Sequence, residues 1–373
     1  MSRKKSRKEL CFFSALLYNS LGIFYKEVKS LQTKNITFTK PFTAELVDGD
    51  LPETLGPDQV LVRTAFSTVS PGTERAVISD SPNCGGYRDH VFPRQSGYSS
   101  AGHVVAVGEK VRSVKEGDRV IVFWGKHSSY NLVPERQVVK IEDDSVTLEE
   151  AAVVFISTFS LAAIRKCRLE IGEKALVMGC GLLGQFAVRL LRAAGAAPIV
   201  AVDTVAARRE EAKRNGADFV FDPAEPDFAA KVKAVTGGGV NVAIEVTGFG
   251  AGLDEALDCM ARYGRIALLG CTRDKNFTID YYQKIHTPGI TIVGAHTKAR
   301  PERDSYPGWF TQRDDIKAVL RLLAAGRIDF SGIIPPDPYS PAECAAVYDR
   351  VVNDRSFPTL AQFDWRKLER EDL

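Results

Sequence analysis

Apolar and polar positions follow two different grammars along this chain. Between residues 32 and 150 the apolar runs are short and β-branched, as in Val60–Ala65, Gly102–Val107 and Asp118–Phe123. Turn clusters such as Ser70-Pro71-Gly72 and Asn83-Cys84-Gly85-Gly86 lie between them. Short strands punctuated by glycine and proline predict a compact, barrel-like β domain. The pattern changes at Thr147-Leu148-Glu149-Glu150, where an N-cap residue is followed three positions later by Glu, the signature of a helix start. A helical run, Ala151–Ile164, comes next, then strand Lys174–Met178, helix Gly184–Ala194, strand Pro198–Val202 and helix Val205–Asn215. Strands Phe219–Phe221, Asn241–Glu245, Arg265–Leu269 and Ile290–Gly294 continue the series, with helices Phe228–Val235 and Leu253–Arg262 between them. Strands alternating with helices predict βαβ units and a parallel sheet covered on both faces. After His296 the grammars mix: a polar loop Lys298–Trp309, helices Asp314–Ala325 and Ser340–Asn353, and a closing strand Thr359–Phe363.

The expected class is therefore α/β, with a β-rich domain over residues 32–153, a doubly wound domain over 154–297 and a return to the first domain over 298–373. The 373 residues are 45% apolar and 26% charged, which excludes disorder, a collagen-like repeat and a coiled coil. The net charge of +2 is uneven. Residues 1–29 hold seven Lys/Arg against two Glu, so the remainder carries −3. A mildly acidic body argues against nucleic-acid binding.

Residues 1–31 read as an N-terminal extension. A basic start precedes the apolar stretch Cys11–Phe24, but Asn19, Ser20 and Gly22 interrupt it and no small-x-small cleavage site follows, so it makes a poor signal peptide. A membrane-surface segment stays open as an alternative. Seven dispersed cysteines without a Cys-x-x-Cys pair imply reduced thiols and a cytoplasmic location. No run approaches the ~18 apolar residues of a membrane span.

Gly179-Cys180-Gly181-Leu182-Leu183-Gly184 is a G-x-G-x-x-G between an expected strand and an expected helix, the context that makes this motif a dinucleotide site. Gly179 allows the tight turn, Gly181 admits a pyrophosphate, and Gly184 permits close helix–strand packing, while the helix N-terminus offers free N–H groups. Asp203 ends the second strand, 19 residues past Gly184. Its carboxylate is placed to accept from the adenosine ribose and to repel a 2′-phosphate, which favours NAD. Arg208 lies five residues on and either stacks near the adenine or stays solvated.

The order of parts, with three segments, resembles the medium-chain dehydrogenase/reductase superfamily. Gly97–Gly108 (GYSSAGHVVAVG) is similar to its G-H-E-x-x-G-x-V-x-x-V-G segment, Gly117–Val120 to its G-D-x-V, and Thr236–Gly248 to its T-G-G-x-G-x-D-x-x-x-E-x-x-G. The resemblance covers about residues 32–365. It implies a GroES-like catalytic domain, a Rossmann NAD-binding domain, alcohol or ketone chemistry, and a homodimer or homotetramer. It also implies dinucleotide contacts at Thr158, Thr247, Leu269 and Gly270.

The zinc ligands of the superfamily's alcohol dehydrogenases have no counterpart. The first falls on Ser70, the second on Tyr98, with Ser99 at the neighbouring Glu, and the third among Val154, Phe155 and Ile156. No four-cysteine lobe occurs between Cys84 and Cys167. Zinc, which needs thiolate or imidazole sets, is not expected, and the pattern resembles the zinc-lacking branch that includes bacteriochlorophyllide a dehydrogenase. Without zinc a side chain must take the alcohol proton or hydrogen-bond the developing alkoxide. Tyr98, Glu74 and His296 are the expected catalytic residues, with Ser70 and Thr73 beside them; His127 is a weaker candidate, and Cys84 and His90 lack further ligands for a metal. The leading expectation is a zinc-independent, NAD-dependent oxidoreductase for a small secondary alcohol or its ketone, without nucleic-acid or membrane partners. Enone or quinone reduction and a non-catalytic nucleotide-binding protein are the alternatives.

Overall fold

The computed structural model describes residues 32–81, 91–272, 276–354 and 356–371. The expected extension at residues 1–31 and the Cys84–His90 pair lie outside them. Strands β1 (Gln32–Lys40) and β2 (Thr43–Asp50) form a hairpin. The long strand β3 (Gln59–Val69) leads into helix α1 (Pro71–Ile78). Strand β4 (Arg94–Gln95) pairs with β1, and β5 (Ser99–Val107) pairs with β3. Strands β6 (Arg119–Phe123), β7 (Tyr130–Pro134) and β8 (Val138–Lys140) complete the antiparallel part.

Helix α2 (Leu148–Lys166) begins at Thr147 with the expected capping box: the Thr147 Oγ1 accepts from the Glu150 amide at 3.2 Å and the Glu150 carboxylate accepts from the Thr147 amide at 3.1 Å. The series β9 (Ala175–Met178), α3 (Leu182–Ala193), β10 (Ile199–Val202), α4 (Ala206–Arg214), β11 (Phe219–Phe221), α5 (Phe228–Thr236), β12 (Val240–Glu245), α6 (Gly250–Asp258), β13 (Met260–Leu268) and β14 (Thr291–Gly294) follows. Helices α7 (Gln312–Ala324) and α8 (Cys344–Asn353), strand β15 (Ala361–Asp364) and helix α9 (Arg366–Glu371) end the described chain.

The α/β class is as expected. Six strands form an all-parallel sheet in the order β11-β10-β9-β12-β13-β14. The order reverses at β9, so a crevice opens beyond its carboxyl end. A second sheet runs β15-β3-β5-β6-β8, with β7 also on β3. Helix α2 is apolar nearly all round, as a helix enclosed by protein must be. Its side chains share one core with Phe66 and Ile121 of the antiparallel sheet and with Val177 and Ile244 of the parallel one.

Three local expectations change. Ser70-Pro71-Gly72 is not a turn between strands but the start of α1, with Ser70 at the N-cap and Pro71 at the first helical position, where its missing N–H costs nothing. Helix α6 stops at Asp258, and β13 starts at Met260, where Met260 already pairs with Val240. The Ser340 capping box opens a 3₁₀ turn, Pro341–Glu343, before α8 begins.

Candidate active site

The crevice at the end of β9 is built by glycine geometry. Gly179 has φ +99°, a conformation that side chains resist. A Cβ on Gly184 would stand 2.0 Å from the Gly179 carbonyl oxygen, so α3 is packed against the turn as closely as backbone allows. A Cβ on Gly181 would meet nothing within 4 Å: the space above it is open, and the amides of Leu182 and Leu183 begin the helix there. This cradle fits a pyrophosphate. Asp203 closes its side: Oδ2 accepts from the Cys180 amide at 2.8 Å and Oδ1 from the Val205 amide at 2.8 Å. Arg208 Nη1 lies 3.9 Å from Asp203, and Arg75 of α1 stands near enough that the two cations repel.

Across the turn, Thr247 Cγ2 packs where a Gly179 Cβ would reach it at 3.0 Å. Glu245, buried and held above the ordinary carboxyl range by desolvation, accepts from the Thr247 amide at 2.7 Å and the Gly248 amide at 3.1 Å. Leu269 and Gly270 both donate to the Glu245 carbonyl at 2.9 Å, so the ends of β12 and β13 are joined beside the glycine turn. These residues come together as expected. Thr158 does not join them openly. It is fully buried, its hydroxyl donates to the Phe155 carbonyl at 2.7 Å, and Arg300 Nη2 caps its own carbonyl at 2.6 Å. Arg300 is held in turn by Asp315, which also meets Arg165 at 2.5 Å.

Tyr98 is the centre of the second cluster. It precedes β5 in a turn set by Gly97, whose φ is +92°. Its half-buried ring lies against Trp124, Phe155 and Phe159, with centroids 5.8, 6.2 and 6.1 Å away. Phe155 and Phe159 are one helical turn apart on α2, so one face of that helix supplies two sides of the aromatic box. Ser70 and Thr73 stand beside the phenol, close enough to bear on its ionisation. Burial, with the Glu74 charge nearby, holds the phenol well above the ordinary tyrosine value. Tyr98 therefore keeps its hydroxyl proton at neutral pH. Cys271, just past β13, is close enough to add to the same field.

Two expected catalytic side chains stand elsewhere. Glu74 is fully buried and turns inward, where Oε1 accepts from the Ser70 amide at 2.8 Å and Oε2 from His127 at 3.1 Å and from the Tyr348 hydroxyl. A carboxylate with these partners is not presented to substrate. His296 is exposed; its Nδ1 accepts from the Lys298 amide at 3.2 Å, and partial burial together with Lys298 and Lys166 lowers its pKa. Lys166, at the end of α2, is itself lowered to about 8 by burial.

Sequence reading missed the Trp124–Phe155–Phe159 box, although the Phe155/Phe159 spacing signals a shared helix face. It also missed Cys271 and the Arg300 cover, for which no local signal exists.

The hydroxyl centre does not fit a zinc ion. Ser70, Thr73 and Tyr98 offer hydroxyls where tetrahedral zinc takes thiolate, imidazole or carboxylate. Ser99 is turned away, donating to the Ala152 carbonyl at 2.6 Å. The imidazole behind them, His127, has both ring nitrogens engaged, by Ser67 at 2.7 Å and Glu74 at 3.1 Å. Among the described residues no three His, Cys, Asp or Glu side chains converge as a metal site.

Two family descriptions match the chain: an alcohol dehydrogenase GroES-like domain over residues 56–143 and a zinc-binding dehydrogenase over residues 183–324. The chain is 34% identical over 260 residues to (R,R)-butanediol dehydrogenase of Bacillus subtilis, covering 63% of this chain and 70% of that one. It is 28% identical over 332 residues to L-threonine 3-dehydrogenase of Pyrococcus horikoshii, covering 79% and 88%. An alcohol dehydrogenase from Escherichia coli CFT073, solved in complex with NADH, shares its fold with a TM-score of 0.76 at 19% identity, over 90% of this chain and 99% of that one.

Proposed function

The chain belongs to the zinc-type alcohol dehydrogenase-like medium-chain dehydrogenase/reductase superfamily and is an oxidoreductase; from that premise we propose that it works without zinc and with NAD. The proposed reaction interconverts a secondary alcohol (a sugar, polyol or other hydroxylated metabolite) and its ketone. The relatives named above are dehydrogenases of small alcohols, which supports the substrate class. The observation that carries the zinc-free reading is the donor set: hydroxyls of Ser70 and Tyr98, with Thr73 beside them, stand where the family's metal ligands would be. It also supports the resemblance to the zinc-lacking branch.

A bound nicotinamide supplies the hydride acceptor or donor. Gly179, Gly181, Leu182, Leu183 and Gly184 would hold its pyrophosphate, and Asp203 with Arg208 its adenosine ribose; Thr247, Leu269 and Gly270 line the path between. The buried carboxylate of Asp203 opposes a 2′-phosphate, which favours NAD and counts against the NADPH-linked enone reductase alternative. Tyr98, protonated and fixed in an aromatic box, donates to the substrate oxygen as negative charge develops there. A preorganised donor in a site screened from water is worth about 10²–10³ in rate. Alcohol oxidation releases its proton to bulk solvent, and the Ser70 and Thr73 hydroxyls beside the phenol are placed to relay it. Glu74 is assigned to positioning, and His296 to the rim.

In this reading residues 32–153 and 298–373 form the catalytic unit and 154–297 the dinucleotide unit, in a cytoplasmic homodimer or homotetramer. No helix among the described residues is long and apolar enough to cross a membrane. The test is a screen of NAD and NADP reduction across polyols, sugars and secondary alcohols with metal-free protein. NAD reduction by one of these classes supports the proposal; absence of turnover with NADH still bound favours a nucleotide-binding protein.

A further inference from the structure

The mechanism leaves His127, the buried partner of Glu74, without a role. Glu74 and His127 are both fully buried, and polar groups so placed are costly unless every partner is satisfied. Here they are satisfied in one direction. Trp365 Nε1 donates to the Ser67 hydroxyl at 2.9 Å, and Ser67 Oγ lies 2.7 Å from His127 Nδ1. His127 Nε2 lies 3.1 Å from Glu74, and Tyr348 donates to the same carboxylate oxygen. A carboxylate only accepts, so the proton sits on Nε2 and the Ser67 hydroxyl proton points at Nδ1. Every hydrogen in the chain then has an acceptor, and the chain ends on Glu74.

The same imidazole touches the other half of the centre. The His127 amide donates to the Ser96 carbonyl at 2.9 Å. Gly97 lies so close that a Cβ there would stand 2.4 Å from the His127 nitrogen and 2.8 Å from its ring. Gly97 carries Tyr98. Glu74, on the other side of His127, holds the Ser70 amide at 2.8 Å and follows Thr73 in the chain. One residue therefore stands between the turn that carries Tyr98 and the turn that carries Ser70 and Thr73.

We propose that His127 is the positioning residue of the hydroxyl centre, fixing the Tyr98 turn through Gly97 and the Ser70–Thr73 turn through Glu74. This rests on Tyr98 being the reacting group. The test uses the full chain with NAD and 2,3-butanediol, alongside a phenolate absorbance titration of each variant against its Tyr98→Phe counterpart, which needs no substrate. His127→Leu should lower kcat about 30-fold or more, since a misplacement near 1 Å costs about 10², and should move the Tyr98 titration toward the ordinary phenol value. The KM for NAD should stay within about twofold. His127→Gln, which keeps an N–H toward Glu74, should recover most of both. If His127→Leu does not fold, Ser67→Ala decides, with an expected loss of about threefold or more in kcat and a smaller shift of the titration in the same direction. A Tyr98 titration unchanged in these variants overturns the positioning role alone. A phenol that titrates at the ordinary value in the unaltered protein overturns the reading of the centre, and this inference with it.

Discussion

The Cys180 amide and the Asp203 carboxylate meet at 2.8 Å, which ties the glycine turn to the end of the neighbouring strand. The acid proposed to select the ribose is thus also a strut of the glycine turn. Asp203→Gly is expected to weaken NAD binding about tenfold and to raise NADP binding relative to NAD by at least as much. Fluorescence titration with NADH and NADPH measures both. An unchanged ratio removes Asp203 from the selection.

Tyr98→Phe keeps the ring in its aromatic box and deletes the hydrogen that the proposed mechanism donates to the substrate oxygen. Turnover should fall about 10²-fold in both directions while NADH affinity holds. The pH dependence has a definite sign. Burial raises the phenol, so its protonated form persists beyond the ordinary tyrosine range. Ketone reduction should show no loss from this group between about pH 7 and about pH 10. A decline within that window that disappears in Tyr98→Phe would place the phenol's titration lower than its surroundings imply.

Exhaustive chelation should leave activity unchanged, and the purified protein should hold no stoichiometric zinc by elemental analysis. One zinc per chain bound at Ser70, Thr73 and Tyr98 would reverse the reading of that cluster.

Asp315 is fully buried between Arg300 and Arg165 and joins the loop after β14 to helices α2 and α7. Asp315→Ala leaves a buried guanidinium without its counter-charge and should cost about 3–5 kcal/mol. Urea unfolding of the full chain reads this. A loss below about 1 kcal/mol would mean that water replaces the carboxylate.

The doubly wound unit was legible because its central strands, Ala175–Met178 and Ile199–Val202, are apolar on both faces and glycines punctuate its helices. The glycine turn and Asp203 could be placed together for the same reason: one βαβ unit keeps them within about 25 residues. Helix α1 was hidden because Ser-Pro-Gly is turn composition as well as a helix start, and only the buried Ala76, Val77 and Ile78 decide between them. Glu74 was singled out among the catalytic candidates, and the structure buries it facing the core. Its partners His127 and Tyr348 lie 53 and 274 residues away, so nothing local says that the carboxylate faces the core. The covering of Thr158 was hidden for the same reason, because Arg300 reaches its carbonyl from 142 residues on.

Strand β15 lies beside β3, with Phe363 opposite Ser67, and the Trp365 amide donates to the Ala65 carbonyl at 2.9 Å. A ribosome making this chain must therefore deliver nearly the whole of it before the antiparallel sheet can close. The parallel sheet is contiguous from Ala175 to Gly294 and is free to form first. During synthesis the β3 edge waits uncovered, and such edges invite pairing with other chains. Deleting strand β15 should then yield aggregation at the antiparallel sheet while the glycine turn survives, so β15 acts as the seal on a sheet whose strand β3 begins at Gln59.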